Sequence, residues 1–239
     1  MSSPFQNEKS SIQEIASTVG YLDKCMKHSI NYSINLIGRY LGSAKKVLEI
    51  GPAEGYLTNY LYLNSMTLDI VEPSQKFAEV LSTKYPNAKV NCCLIEEYST
   101  SFKYDFILLS HVLEHVIDPV YVLKKCKELL ADDGVLFSVV PNSHSIHRQA
   151  AVKMGMLKTE AELNGSDIMY GHKRVYNMSR LAADFVNSGL VIIETGGYWL
   201  KPLSNSQIEA SWSDEMLDAF MQLGQEYPEI SAEIFLASK

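Results

Sequence analysis

Long apolar runs are missing from this 239-residue chain. Those present, such as 106–109 and 135–137, are strand-sized, far short of the ~20 residues that cross a bilayer, so no membrane contact is expected. The first eleven residues lack the basic-then-apolar pattern of a secretory leader, which points to the cytoplasm. Cysteine is scarce. The four present are Cys25, Cys92, Cys93 and Cys126, and none forms a C-x-x-C pair. A zinc knuckle and a thioredoxin-like motif are thereby excluded, and the adjacent Cys92 and Cys93 read as small core residues of a reduced protein. Basic residues are outnumbered, 21 to 28, for a net charge of −7. Such a surface repels a phosphate backbone, so no nucleic-acid partner is expected. Repeats, low-complexity tracts and a linker are also lacking. What remains is a globular composition, 46% apolar and 21% charged, long enough for one α/β domain with insertions.

Apolar residues recur in steps of three and four from Ile12 through Val19 and Ile30 to Leu41, one face of a helix or of two helices broken near Gly20. The rhythm then changes. Short strands are expected at 46–51, 67–72, 89–94, 104–110 and 135–140. Helices fall between them, one opening at Ser74 and one at Asp118-Pro119, a capping carboxylate followed by proline in the first turn. After a lapse, a helix at 177–187, a strand at 190–195, a helix near 214–223 and a strand at 232–237 complete the chain. Strands alternating with helices predict a parallel sheet covered on both faces. Two insertions, 142–175 and 200–231, follow strands. Insertions of that size are seldom without function, and at the carboxyl edge of the sheet they would roof a ligand site.

The segment 47–55 (VLEIGPAEG) is the most informative. A strand, a glycine-containing loop and a helix let backbone approach a ligand closely. Glu72 ends the next strand, where a carboxylate can accept hydrogen bonds from both ribose hydroxyls. The ligand contains a nucleoside on this reading. The dinucleotide pattern G-x-G-x-x-G is not met, because Ala53 and Tyr56 stand at its second and third glycine positions. The spacing fits instead E-x-G-x-(G/A)-x-G, read as Glu49, Gly51, Ala53 and Gly55. Glu49 closes an apolar strand and needs partners, which loop N–H groups and a ligand amine would supply.

With 69–72 (DIVE), 94–98 (LIEEY) and 104–119 (YDFILLSHVLEHVIDP), the sequence resembles class I S-adenosylmethionine-dependent methyltransferases over about 44–195 and the last strand. The HVLEH element is similar to the branch holding ubiquinone-type and other small-molecule O-methyltransferases. The resemblance implies a doubly wound, Rossmann-like α/β fold whose seven-stranded, mostly parallel sheet ends in an antiparallel strand. It implies a helical cap at 1–43 before a methyltransferase domain at 44–239. It implies S-adenosylmethionine as cofactor, with Gly51, Pro52, Ala53 and Gly55 along the methionine part, Glu72 and Pro73 at the ribose, Leu94, Ile95 and Glu96 at the adenine, and Ser110 and His111 beneath the sulfonium. Tyr21 would reach the cofactor from the N-terminal segment. Ala53 departs from the commoner glycine.

Methyl transfer requires an aligned acceptor and a place for one proton. Histidine suits that task, and the candidates are His111, His115, His144, His147 and His172, with His111 and His115 on one helical turn. A metal held by His111, Glu114 and His115 would crowd three ligands into five residues, so none is expected. Asn142, Arg148, Arg174, Tyr176 and Tyr198 are the expected acceptor contacts, the arginines gripping a carboxylate or phosphate. Met216, Leu217, Phe220 and Leu223 read as core or as the contact of a homodimer. The expected activity is methylation of a small molecule, on oxygen by preference, with nitrogen or carbon as alternatives. A nicotinamide-dependent oxidoreductase and a catalytically silent cofactor-binding protein are the other readings.

Overall fold

The computed structural model describes residues 4–18, 23–42 and 44–239. Its elements are α1 (Pro4–Thr18), α2 (Lys24–Leu41), β1 (Lys46–Ile50), α3 (Thr58–Asn64), β2 (Thr67–Val71), α4 (Gln75–Lys84), β3 (Lys89–Asn91), β4 (Tyr104–Ser110), α5 (Pro119–Leu129), β5 (Leu130–Pro141), α6 (Ile146–Lys153), α7 (Gly165–Met169), α8 (Met178–Asn187), β6 (Ile192–Tyr198), α9 (Asn205–Glu209), α10 (Asp214–Glu226) and β7 (Glu233–Ser238). The strands form one sheet in the order β3-β2-β1-β4-β5-β7-β6. β7 runs antiparallel to both of its neighbours and the remaining pairs are parallel. This is the fold expected from the sequence.

The buried strands carry apolar residues on both faces, as a sheet covered on both sides requires. Leu48, Ile50, Ile107 and Leu109 meet Val122 and Leu123 of α5 and Leu181 and Phe185 of α8. The alternate residues Val47, Phe106, Leu108 and Phe137 meet Leu36 and Ile37 of α2, Leu61 of α3, Leu81 of α4 and Leu217 of α10. Period-two alternation thus feeds two separate cores. Helix starts follow their capping chemistry: Asp118 accepts from the Tyr121 N–H at 3.0 Å, with Pro119 in the first turn, and Ser74 accepts from the Phe77 N–H.

Three boundaries moved. The helix after β1 begins at Thr58, not at 55, because Ala53 and Gly55 have φ of 49° and 72°, left-handed values that a helix cannot absorb. α5 stops at Leu129, and 130–134 already run in β5, where Leu130 pairs with Tyr104. β3 ends at Asn91, and Ile95–Glu97 form a single 3-10 turn. Among the described residues no helix is long and apolar enough to cross a membrane.

Both insertions are anchored at their bases. Asn142 bridges Tyr176, closing the first. In the second, α10 turns Leu217, Met221 and Gly224 inward, and Gly224 lies so close to Tyr198 and Trp199 that a Cβ would stand 2.1 Å from the Trp199 nitrogen. The stripe expected along this helix is therefore mainly core; Met216 alone of its large residues is well exposed. The strand order reverses between β1 and β4, and both insertions lie over the carboxyl ends of these strands. Ligands bind at such switch points.

Candidate active site

A cavity of about 700 Å³ opens at this switch point, lined by the loops after β1, β2, β4 and β5, by α1, and by the start of β7. Its volume is that of a small-molecule site. The first wall is the β1 loop. Gly51 and Ala53 both have positive φ, 64° and 49°, which lays backbone instead of side chain along the cavity. A Cβ on Gly51 would meet Val112 at 3.0 Å, and one on Gly55 would meet Leu81 at 2.4 Å. Gly55 does not line the cavity; it lets the loop turn tightly against α4.

Glu49 and Glu72 form the floor and are 2% and 3% exposed. Thr58 donates to Glu49 at 2.6 Å. The N–H groups of Ala53 and Ser74 donate to the two oxygens of Glu72 at 3.0 and 2.7 Å. Burial pushes Glu49 up to about 8 and Glu72 to about 7, against those hydrogen bonds. Two buried carboxylates with lone pairs to spare suit a ligand that brings hydroxyls and an amine. Leu94, Ile95 and Glu96 form the next wall, with Pro73 between. Glu96 Oε2 and, from α1, Glu8 Oε2 are buried with no partner among the described residues. Glu49, Gly51, Pro52, Ala53, Glu72, Pro73, Leu94, Ile95, Glu96, Ser110 and His111, which the sequence reading assigns to the cofactor, all line the cavity. Tyr21 lies outside the described residues.

Past Ser110 the chain makes a tight loop. His111 has a φ of 55°, a rare conformation for a residue with a Cβ and one that clusters at functional sites. Its N–H still donates to Val139 at 2.9 Å. The imidazole is held between two buried carboxylates, Nδ1 3.4 Å from Glu114 and Nε2 3.9 Å from Glu233. Burial opposes the imidazolium, but Glu233 and Glu114 outweigh it and raise His111 to about 9. Burial likewise opposes ionisation of Glu114, and the neighbouring imidazoles, His111 first, outweigh it and bring that carboxyl down to about 2. For His115 burial wins, and its ring stays neutral down to about 4.

The first insertion returns to this loop. The Lys173 N–H donates to the Glu114 carbonyl at 2.8 Å, and the Arg174 guanidinium donates to the carbonyls of Leu113, Val116 and Ile117. This clamp sets His172 edge-on to His115, ring centroids 4.7 Å apart. Glu114, His115 and His172 each bring a donor atom within 4.8 Å of the others. The crowding that argued against a metal in the sequence applied to His111, Glu114 and His115. Folding replaces one of these with His172, giving a trio that could hold a divalent ion.

Several expected acceptor contacts lie elsewhere. Arg174 is spent on the loop carbonyls and does not line the cavity. Arg148 does line it, but its nitrogens go to Asp167 and the carbonyls of Glu160 and Glu162. Neither arginine has the freedom to grip an anion. Tyr176 and Tyr198 are 0% and 1% exposed core residues, hydrogen bonded to Asp184 and Ser29. His144 sits outside with Glu160, 2.6 Å away. Asn142 lines the cavity, yet its side chain ties down Glu229, Ser231 and the His144 N–H. The mixed polar and aromatic character of these loops marks an insertion that is strapped down, a use of such residues that sequence does not separate from ligand contact. In their place come Asp23, His147, Lys201 and Glu233. Glu233 carried a signal: a lone carboxylate beginning an apolar strand, as Glu49 ends one.

Comparison with known proteins agrees with this geometry. A family model described as a methyltransferase domain matches residues 23–195. A ubiquinone biosynthesis O-methyltransferase of Actinobacillus pleuropneumoniae serotype 5b is 33% identical over 103 residues, 39% of this chain and 44% of that protein. The chain thus matches less than half the length of such curated relatives. The N-methyltransferase NodS of Bradyrhizobium japonicum WM9, solved with S-adenosyl-L-homocysteine, superposes with a TM-score of 0.62 at 14% identity, covering 97% of each chain. The Burkholderia thailandensis 1,6-didemethyltoxoflavin-N1-methyltransferase gives 0.62 at 12% identity, covering 100% of this chain and 90% of that one. At such identities the structural likeness speaks for the fold.

Proposed function

The chain belongs to the family of S-adenosylmethionine-dependent methyltransferases, and from that membership we propose that it methylates a hydroxyl group of a small molecule. When bound, S-adenosylmethionine supplies a methyl group already activated by its sulfonium. The chain's own residues do the rest. The β1 loop and Glu72 hold the donor at the sheet edge, and the insertions exclude water and align the acceptor. The bound donor would supply its methyl group to the acceptor oxygen and keep the electron pair on sulfur. The hydroxyl proton passes to Nε2 of His111.

The observation that carries the choice of oxygen is His111 itself, held at a positive φ at the cavity wall with its imidazole braced by Glu114 and Glu233. A hydroxyl becomes a competent nucleophile only as its proton leaves, so it needs a base in contact. A neutral amine attacks through its lone pair and needs none until afterwards. His115, where burial outweighs the neighbouring Glu114 and keeps the ring neutral down to about 4, is a weaker base. The test is a calorimetric titration with S-adenosylmethionine, S-adenosylhomocysteine and NAD, followed by an acceptor screen that monitors S-adenosylhomocysteine release. Binding of both sulfur nucleosides and turnover with hydroxyl acceptors are expected. NAD binding without them, or turnover confined to amines, would overturn the reading.

A further inference from the structure

The end of the cavity beyond His111 has its own chemistry. It is built by the start of α2, the first turn of α6, the segment leading into α9 and the first residue of β7. Glu233, 5% exposed, has its Oε2 buried without a hydrogen bond among the described residues, His111 Nε2 standing 3.9 Å away, and His147 has its Nδ1 buried without one. Both line the cavity. Beside them Lys201 lies over the Trp199 ring, 4.8 Å from its centroid, and donates one hydrogen bond of 2.7 Å to Asn205. An ammonium has three donors, so others remain for a ligand. Polar groups buried at this depth need partners, and these offer donors and acceptors from several sides.

Two classes of acceptor fit poorly. An anionic one would face the buried carboxylate of Glu233 beside the single ammonium of Lys201, and Arg148 is consumed within the first insertion. A flat aromatic one would call for rings to stack on. Among the described residues the tyrosine and phenylalanine rings lining the cavity are Tyr56 after the β1 loop, Phe77 of α4 and Tyr170 of the first insertion; Tyr176, Tyr198 and Trp199 are turned into the core. We propose that the acceptor is an uncharged polyhydroxylated molecule of the sugar class, its hydroxyls donating to Glu233 and His147 and accepting from Lys201. This deepens the methyl-transfer reading and rests on it.

The experiment uses the full chain saturated with S-adenosylhomocysteine and reads ligand binding by saturation-transfer NMR. The probes are methyl glycosides of glucose, galactose, rhamnose and N-acetylglucosamine, set against catechol and 3,4-dihydroxybenzoate. The same panel is assayed for turnover with S-adenosylmethionine. At least one glycoside is expected to bind and to be methylated. Glu233→Gln and Lys201→Met should each weaken that binding about tenfold, roughly the loss of one charge-assisted hydrogen bond, while S-adenosylhomocysteine affinity, which also reports folding, stays unchanged. Binding and turnover of the aromatic diols alone, or of no glycoside while S-adenosylhomocysteine binds, would overturn the proposal. Failure of both sulfur nucleosides to bind would instead overturn the methyl-transfer reading beneath it.

Discussion

Glu72 and His111 carry their charge where water hardly reaches, and each makes a measurable demand. Replacing Glu72 with alanine removes a charged hydrogen-bond acceptor from the cavity floor and leaves the Ala53 and Ser74 N–H groups without it. S-adenosylhomocysteine affinity should fall by about 1–3 kcal/mol, roughly 5- to 150-fold, by calorimetry. An unchanged affinity would mean that the ribose lies elsewhere. His111 predicts a pH profile. Only its neutral ring accepts a proton, so kcat/KM should rise with pH and level off above about 9, and His111→Gln should remove that limb. Were His115 the base, already neutral above about 4, the profile would be flat through neutrality. Glu49, Gly51 and Glu72 were legible in the sequence because their chemistry lies in local spacing: a strand end, a turn, the next strand end. Arg174 was not, since nothing local tells whether a guanidinium faces a ligand or three carbonyls of its own chain. Lys201 and Glu233 meet His147 only through the pairing of distant segments.

At the level of elements, periodicity and capping exposed most of the fold, because the central strands bury both faces and α4 and α5 open on capping residues. What they missed was decided by backbone torsion. The glycine-containing loop was legible and its end was not, because the left-handed torsions of Ala53 and Gly55 hold the helix off until Thr58. The stripe along α10 read as core or subunit contact, and α10 is a core element whose Gly224 lets it press on the backbone of Tyr198 and Trp199. That contact predicts a sharp response. In Gly224→Ala the new Cβ would stand 2.1 Å from the Trp199 nitrogen and 2.4 Å from the Tyr198 carbonyl carbon. These are backbone atoms that cannot swing aside, so α10 must shift. A loss of about 2–3 kcal/mol is expected, read as a lowered urea midpoint with an unchanged slope. Gly165→Ala, where a Cβ meets nothing within 4 Å and φ is not positive, serves as the control and should leave the midpoint nearly where it was.

For the whole molecule these buried charges combine into one dependence of stability on pH. His115 and His147 are held neutral, down to about 4 and 3, by burial. The unfolded chain takes up protons there that the native state does not, so stability is lost as pH falls from 6.5, and Glu114 adds its own loss below 4.5. Glu49 and Glu72 are raised to about 8 and 7, which works in the opposite sense: the native state keeps protons the unfolded chain has released, and stability is lost as pH rises from 4.5 through those values. His111, raised to about 9, contributes stability that is complete below 6.5 and lost as pH rises through 9. The ligand-free protein should therefore be most stable between about pH 4.5 and 6.5, and the −7 net charge adds repulsion at neutral pH in the same direction. A bound nucleoside reverses part of this, because hydroxyls and an amine favour the ionised forms of Glu72 and Glu49. S-adenosylhomocysteine at about 100 times its Kd should add ~2.7 kcal/mol, or roughly 5–11 °C in Tm for a chain of this size. At one fixed concentration the increment should be larger at about pH 8 than at about pH 6, since binding displaces the protons that burial retains on the two carboxylates. Scanning calorimetry at the two pH values reads this directly. An increment that did not grow with pH would separate the ligand from Glu49 and Glu72, and so from the switch point on which the site is built.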